Sequence, residues 1–151
     1  MLRIATAAAA VLLLAGCSPP HDAAADGPVD CSKDKCIAFT FADAPTPYTD
    51  RLLSVPHDAG AKATFFMIGN KVAANPDGAK RVAQAGMEIG NHTWEHPNMT
   101  TIPAQFVPEQ LSKAQDAIAA ATGQTPNIWR PPGGLTDAAV NAVAAKDGLA
   151  G

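Results

Sequence analysis

The chain has 151 residues, and 47% of them are hydrophobic against 17% charged, with a formal net charge of −3. That length supports one ordinary domain, and much of the apolar share is alanine, which buries little area per residue, so the core is thinner than the percentage suggests. The small negative charge comes with no basic stripe or run of like charge, which excludes nucleic-acid binding by phosphate neutralisation.

A short positive region ends at Arg3 and an apolar stretch of residues 4–15 follows, closed by Leu14-Ala15-Gly16-Cys17. The stretch is too short to span a bilayer as a mature helix, and the small residues ahead of a cysteine suit a signal peptidase. This pattern resembles a bacterial lipoprotein signal over residues 1–16, with Cys17 as the lipidated first residue of the mature protein. An ordinary secretory signal cleaved near the same place is the alternative. Residues 17–30 are rich in Pro, Ala, Asp and Gly without periodicity, a composition that makes a tether and no core. The expected location is the outer face of the cytoplasmic membrane, with the membrane a partner through the lipid anchor. With Cys17 acylated, Cys31 and Cys36 remain, in a compartment where disulfides persist, and a local disulfide between them is expected. One such pair cannot make a structural zinc finger, because no second Cys/His pair follows at the required spacing.

The domain proper, residues 31–151, alternates strand-like and helix-like segments. Residues 36–41 form an apolar first strand, residues 49–59 a short helix, and residues 62–68 a second strand closed by Gly69-Asn70. A helix over 76–85 starts at its proline, with Ala79 and Val82 on one side, and a brief strand covers 87–90. The longest helical pattern runs over 108–121, with Leu111, Ala114, Ile118 and Ala121 at helical spacing and Gly123 as its C-cap. A fourth strand over 127–129 leads into Arg130-Pro131-Pro132-Gly133-Gly134, and Thr136 caps a last helix over 137–146. This rhythm predicts parallel strands joined by helical crossovers, an α/β layer or barrel.

In such architectures the functional residues collect in the loops after the strands. Here those loops carry Thr40-Phe41-Ala42-Asp43-Ala44-Pro45, Asn91-His92-Thr93-Trp94-Glu95-His96 and Arg130-Pro131-Pro132-Gly133-Gly134. His92 and His96 are four apart, so a helical turn would set both imidazoles on one face, and an Asp from another loop would complete a His-His-carboxylate metal set. Glu95, between the histidines, would point away from that face and is a poor substitute base. Trp94 and Trp129 either pack at the loop bases or stack a sugar ring. Asn91-His92-Thr93 and Asn98-Met99-Thr100 match the N-glycosylation pattern formally, but a bacterial lipoprotein leader argues against that use.

Together and in this order, the three segments resemble the polysaccharide deacetylase family, the chitooligosaccharide deacetylase-like homology domain of carbohydrate esterase family four. The resemblance runs from about Cys36 to the end. The family motifs are T-F-D-D-G-P, H-[ST]-x-x-H and R-x-P-[aromatic]-G, and Ala63-Thr64-Phe65-Phe66 matches a familiar connecting strand. The resemblance implies that Asp43, His92 and His96 bind a divalent ion, zinc first, with cobalt or nickel tolerated. That ion would polarise an acetamide carbonyl and lower the pKa of a bound water. It implies that the backbone N–H of Gly133 is the oxyanion donor and that Arg130 orients the catalytic aspartate. It further implies the N-terminal portion of a distorted parallel (β/α) barrel, about four strands, with closure missing, and an N-acetylated glycan as substrate or ligand.

Four departures qualify this. The general base of the first motif is replaced by Ala42, and a methyl group takes no proton. Loss of a positioned base costs a factor of about 10²–10⁴, and it leaves Arg130 a cation without its partner. The glycine after the ligand aspartate is Ala44, which matters only if that position needs a conformation closed to alanine, and the aromatic of the third motif is replaced by Gly133. The family's later aspartate-tryptophan and leucine-x-histidine motifs do not follow. The sequence thus carries three readings: an impaired metal-dependent hydrolase acting on N-acetyl groups of peptidoglycan or chitin-like oligomers, a non-catalytic metal- and glycan-binding pseudoenzyme, or a decayed fragment.

Overall fold

The computed structural model describes residues 30–33 and 35–151. The expected leader, Cys17 and the tether lie outside the described residues but for Asp30. Three strands form a parallel sheet in the order β1 (Phe39–Ala44), β2 (Ala63–Met67), β3 (Glu88–Asn91). Helix α1 (Thr49–Asp58) connects β1 to β2, and α2 (Gly69–Ala74) with α3 (Pro76–Gln84) connects β2 to β3. The long α4 (Val107–Thr122) and the shorter α5 (Ala138–Lys146) follow. This is an open α/β layer whose helical crossovers enforce parallel pairing. Among the described residues the outer edge of β1 has no strand partner.

Alternation along the strands sorts side chains onto two faces. Phe65, Met67 and Ile89 enter the core beneath α3 and α4, where they meet Val72, Ala79, Val82 and Ile118, and Phe41 stacks on Phe65 at 5.1 Å. Each fully buried aliphatic or aromatic side chain here contributes on the order of 1.5–3 kcal/mol. The opposite face carries Thr40, Ala42, Phe66 and Gly90. A Cβ at Gly90 would collide with the Phe66 ring, so only glycine lets β3 lie flat against that phenylalanine. A second core joins Met99, Val107, Leu111, Trp129, Val140, Ala144 and Leu149, which seats α5 and the segment before Arg130 against α4.

Four expectations need correction. The first strand starts three residues later than residue 36 and runs through Ala44, because β2 offers partners only from Ala63 onward, opposite Phe39. Cys36 lies ahead of the strand, in the expected disulfide with Cys31. Gly69-Asn70 does not simply close β2 but opens α2, a six-residue helix too short to show periodicity. Residues 127–129 form no strand, only single bridges from Trp129 to Asn91 and from Ile128 to Ala150. Pro131 and Pro132 lack the N–H groups that would extend that ladder. Finally, Asp137 and not Thr136 caps α5, its carboxylate accepting from Val140 N at 2.9 Å.

Candidate metal centre and active site

Asp43 reaches the site through a bulge. Phe41 pairs with Phe65 but Ala44 pairs with Met67, so β1 spends one more residue than β2 over that span. The extra residue bends the strand, and Asp43 takes up the bend with φ 66°. Aspartate tolerates that left-handed conformation better than most side chains. Lys71 Nζ braces the bulge by donating to the Asp43 carbonyl at 3.1 Å. Ala44 is not among the positive-φ residues, and its methyl is buried in the core, so alanine sits there without backbone strain.

The histidine loop is built differently from the helical turn that the spacing suggests. Thr93 and His96 both have positive φ, 67° and 62°, so the chain doubles back instead of coiling. A threonine held there costs about 1–3 kcal/mol, which surrounding bonds must offset. Asn91, fully buried, does much of this: its Nδ2 donates to Leu111 O at 2.9 Å and to Gln115 Oε1 at 3.2 Å, while its Oδ1 accepts from Thr93 N at 2.8 Å. Thr93 Oγ1 accepts from His96 N at 3.1 Å, and Thr93 O accepts from Gly69 N at 2.9 Å. His92 N donates to Met67 O at 2.8 Å, which sets the loop on the end of β2. The two imidazoles then meet edge-on with centroids 4.9 Å apart.

Asp43 Oδ1 lies 3.4 Å from Nε2 of His92 and 3.4 Å from Nε2 of His96. The three potential ligand atoms all lie within 4.8 Å of one another. An ion bound by nitrogen and oxygen at ~2.0–2.2 Å in tetrahedral geometry spaces its ligand atoms roughly 3.3–3.6 Å apart, so the two carboxylate-imidazole distances suit such an ion. His92 meets a second requirement. Its Nδ1 donates to the Arg130 carbonyl at 2.6 Å, which fixes the proton on that nitrogen and leaves Nε2 as the bare donor. Burial pushes the His92 pKa below the ordinary imidazole range, with the nearby His96 and Arg130 adding to the shift and the Arg130 carbonyl and Asp43 opposing it. The neutral form so favoured is the one that ligates. The donor set fits a divalent cation.

Arg130 is half-buried on the sheet face opposite the helices. Its guanidinium carbon lies 4.4 Å from the Phe66 ring centroid, and Nη2 donates to Thr40 Oγ1 at 3.0 Å. Among the described residues no carboxylate partners Arg130, and a hydroxyl and an aromatic face hold it instead. Thr40 lies in the first motif and Phe66 in the matching connecting strand, but each also reads as an ordinary strand residue, and nothing in the sequence pairs either with Arg130. Thr40 and Ala42 are two apart on β1 and share the face that Arg130 overlies. Ala42 is exposed. Gly133, at φ 61°, lies exposed in the turn after Arg130. A Cβ there would make only ordinary contact with Leu135, at 3.6 Å, so the positive φ and not space favours glycine.

Glu95 stands apart from this cluster: Gln110 Nε2 donates to its carboxylate at 2.9 Å while Glu95 N donates to Gln110 Oε1 at 2.9 Å. Trp129 is a core residue, 3% exposed. Trp94 is half-buried, with the Lys113 ammonium 5.0 Å from its ring. A Cβ on Gly69 would come within 2.6 Å of the Trp94 ring and 2.7 Å of Ala114 Cα. Packing therefore accounts for both tryptophans.

The model of the family described as polysaccharide deacetylase matches residues 30–151. The chain belongs to the polysaccharide deacetylase family. Among family relatives, chitin deacetylase 1 of Cryptococcus neoformans is 33% identical over 121 residues, covering 80% of this chain and 26% of that protein. Peptidoglycan-N-acetylmuramic acid deacetylase PdaC of Bacillus subtilis is 37% identical over 105 residues, covering 68% and 22%. The chain thus spans about a quarter of the length of these curated relatives. Among solved structures, a carbohydrate esterase family 4 pseudoenzyme from Bacillus anthracis superposes with a TM-score of 0.74 at 33% identity, covering 78% of this chain and 42% of that one. A mutant of that pseudoenzyme, described as having restored enzymatic activity, gives 0.74 at 35% identity, covering 78% and 43%. The open three-stranded sheet is consistent with part of the family's (β/α) barrel, with three strands described in place of the four expected.

Proposed function

We propose that this is the metal-dependent deacetylase domain of a surface-anchored lipoprotein, directed at N-acetyl groups of cell-envelope glycan and impaired in turnover by alanine at position 42. The observation that carries the reading is the convergence of Asp43, His92 and His96 beside Arg130, and Ala42 stands where the family motif has a carboxylate. A divalent cation, zinc by the nitrogen-rich donor set, would supply Lewis-acid polarisation of the acetamide carbonyl and acidify a water. His92 is oriented by the Arg130 carbonyl so that Nε2 faces Asp43. Gly133 N–H is assigned to the developing oxyanion. Arg130 fixes the wall opposite the histidines through Thr40 and Phe66, and Ala42 supplies nothing that accepts a proton.

Two relatives named as deacetylases of chitin and of peptidoglycan support the substrate class. Ala42 itself favours a second reading, a metal-bearing glycan-binding pseudoenzyme, and the Bacillus anthracis neighbour shows that the family includes pseudoenzymes. Acetate release from N-acetylated glycan oligomers, with added zinc or cobalt, separates the two. The native chain is expected to be near-silent and Ala42→Asp to gain a factor of about 10²–10⁴. Equal, appreciable turnover by both would sink the claim that position 42 limits the reaction; glycan binding without release in either would favour the pseudoenzyme.

A further inference from the structure

Arg130 is held on two sides yet retains donors. A guanidinium has five N–H groups in one plane. Its face is taken by the Phe66 ring and one nitrogen by Thr40 Oγ1, at 4.4 and 3.0 Å. Among the described residues no carboxylate bonds to it. Two residues along β1 from Thr40, which accepts from the guanidinium, Ala42 is exposed and ends at Cβ, so no longer side chain extends from that position.

We propose that Arg130, Thr40 and the exposed position of Ala42 form a binding site for a small monocarboxylate of formate size, which stands where a side-chain carboxylate at position 42 would stand. The fork of the guanidinium matches a carboxylate in bidentate fashion. The Phe66 ring keeps that fork in plane, so little rotamer freedom is lost on binding. Thr40 Oγ1 accepts from Arg130 and has its own proton to donate to the incoming anion. The Asp43 carboxylate next along the strand opposes a second negative charge. A divalent cation on Asp43, His92 and His96 reverses that local sign, so the metal-loaded chain binds the anion more tightly.

The catalytic consequence rests on the deacetylase reading above; the binding site does not. A water O–H gives its proton to the bound formate as the water oxygen bonds to the amide carbon and the carbonyl pair moves to oxygen. The formic acid returns that proton to nitrogen as the C–N bond breaks, leaving acetic acid and the free amine. Formate is regenerated and nothing is oxidised or reduced.

The test is a titration of the zinc-loaded full chain with sodium formate, followed by amide and Arg130 side-chain NMR shifts, against sodium chloride at the same ionic strength. Expected are saturable shifts at Thr40, Phe41, Ala42 and Arg130 in the millimolar range, weaker without zinc. They vanish in Arg130→Gln and also in Ala42→Asp, where the introduced carboxylate fills the site; the second variant keeps the test open should the first not fold. Non-saturating shifts, an equal response to chloride, or shifts that survive Ala42→Asp would overturn the site. In the acetate-release assay formate should raise turnover of the native chain and leave Ala42→Asp unchanged. Turnover by Ala42→Asp with formate bound but no gain for the native chain would refute the proton-accepting role alone. Formate binding with neither chain hydrolysing would instead count against the deacetylase reading and leave the anion site standing.

Discussion

The two sides of the candidate site are held by different means. On the histidine side the ligands stand on buried polar contacts: Asn91, His92 and Thr93 are each 2% exposed or less, and their donors and acceptors close on one another, on α4 and on the end of β2. On the other side Ala42 and Asp43 lie exposed on a bulged edge strand, and Arg130 is held by one hydroxyl and one ring. Ala42 thus stands where little depends on the residue type for folding. Substituting His92 would leave buried groups unpaired, whereas His96 is more exposed, so fold stability and the proposed metal site constrain the same residue on the histidine side only.

Removing a ligand from each side breaks this comparison most directly. His92→Ala takes away a buried ligand and strands the Arg130 carbonyl. Zinc affinity, measured by competition with a chromophoric chelator, should fall by more than roughly 10²-fold, beyond the usual loss for a supporting residue. His96→Ala acts on a side chain that is 40% exposed, near Asp43 and the His92 ring, with its backbone N donating to Thr93 Oγ1. It should weaken zinc comparably while leaving thermal unfolding of the metal-free chain nearly unchanged, whereas His92→Ala lowers that unfolding temperature too. Equal unfolding temperatures for the two metal-free variants would show that the buried side is no more structural than the open one.

Asn91→Ala sharpens the same contrast without touching a ligand. It removes partners from Leu111 O, Gln115 Oε1 and Thr93 N in a buried setting. The expected cost is about 2–4 kcal/mol in urea unfolding. Thr93 and His96 would also lose support for their left-handed backbone, so zinc affinity should drop by roughly 10–100-fold. A variant as stable as the native chain would mean that the loop holds its shape by other contacts.

The sequence was most legible where a pattern is long. The extents of α1, α3 and α4 follow from prolines, apolar spacing and the Gly123 cap, and no observed end differs by more than one residue. Asp43, His92 and His96 were identifiable because three short motifs occur in order, although the geometry that unites them was not. The histidine spacing suggested a helical turn, but two positive-φ residues, one a threonine, make the loop, and only the buried bonds of Asn91 and Thr93 explain why. The bulge in β1 was equally hidden, since register is a property of two strands and nothing local in Phe41-Ala42-Asp43-Ala44 announces an extra residue. Thr40 and Phe66 became partners of Arg130 through contacts 90 and 64 positions apart in the chain.

The smallest expected effect concerns what supports the Arg130 wall from behind. Trp129 packs against Val140 and Ala144 of α5, so the start of that helix bears indirectly on where Arg130 sits. Its first turn is tied by Asp137 accepting from Val140 N, while Thr136 donates its hydroxyl hydrogen to Asn141 Oδ1 at 2.7 Å. Asp137→Ala should cost about 1 kcal/mol by loss of the cap, and Thr136→Ala, which removes an exposed side-chain contact, about half that or less. If Asp137→Ala leaves stability unchanged but disturbs Arg130 side-chain resonances, the cap serves position more than stability. If both are unchanged, Trp129 and its apolar neighbours hold that wall without help from the helix end, and the two sides of the site differ less in kind than in how deeply each is buried.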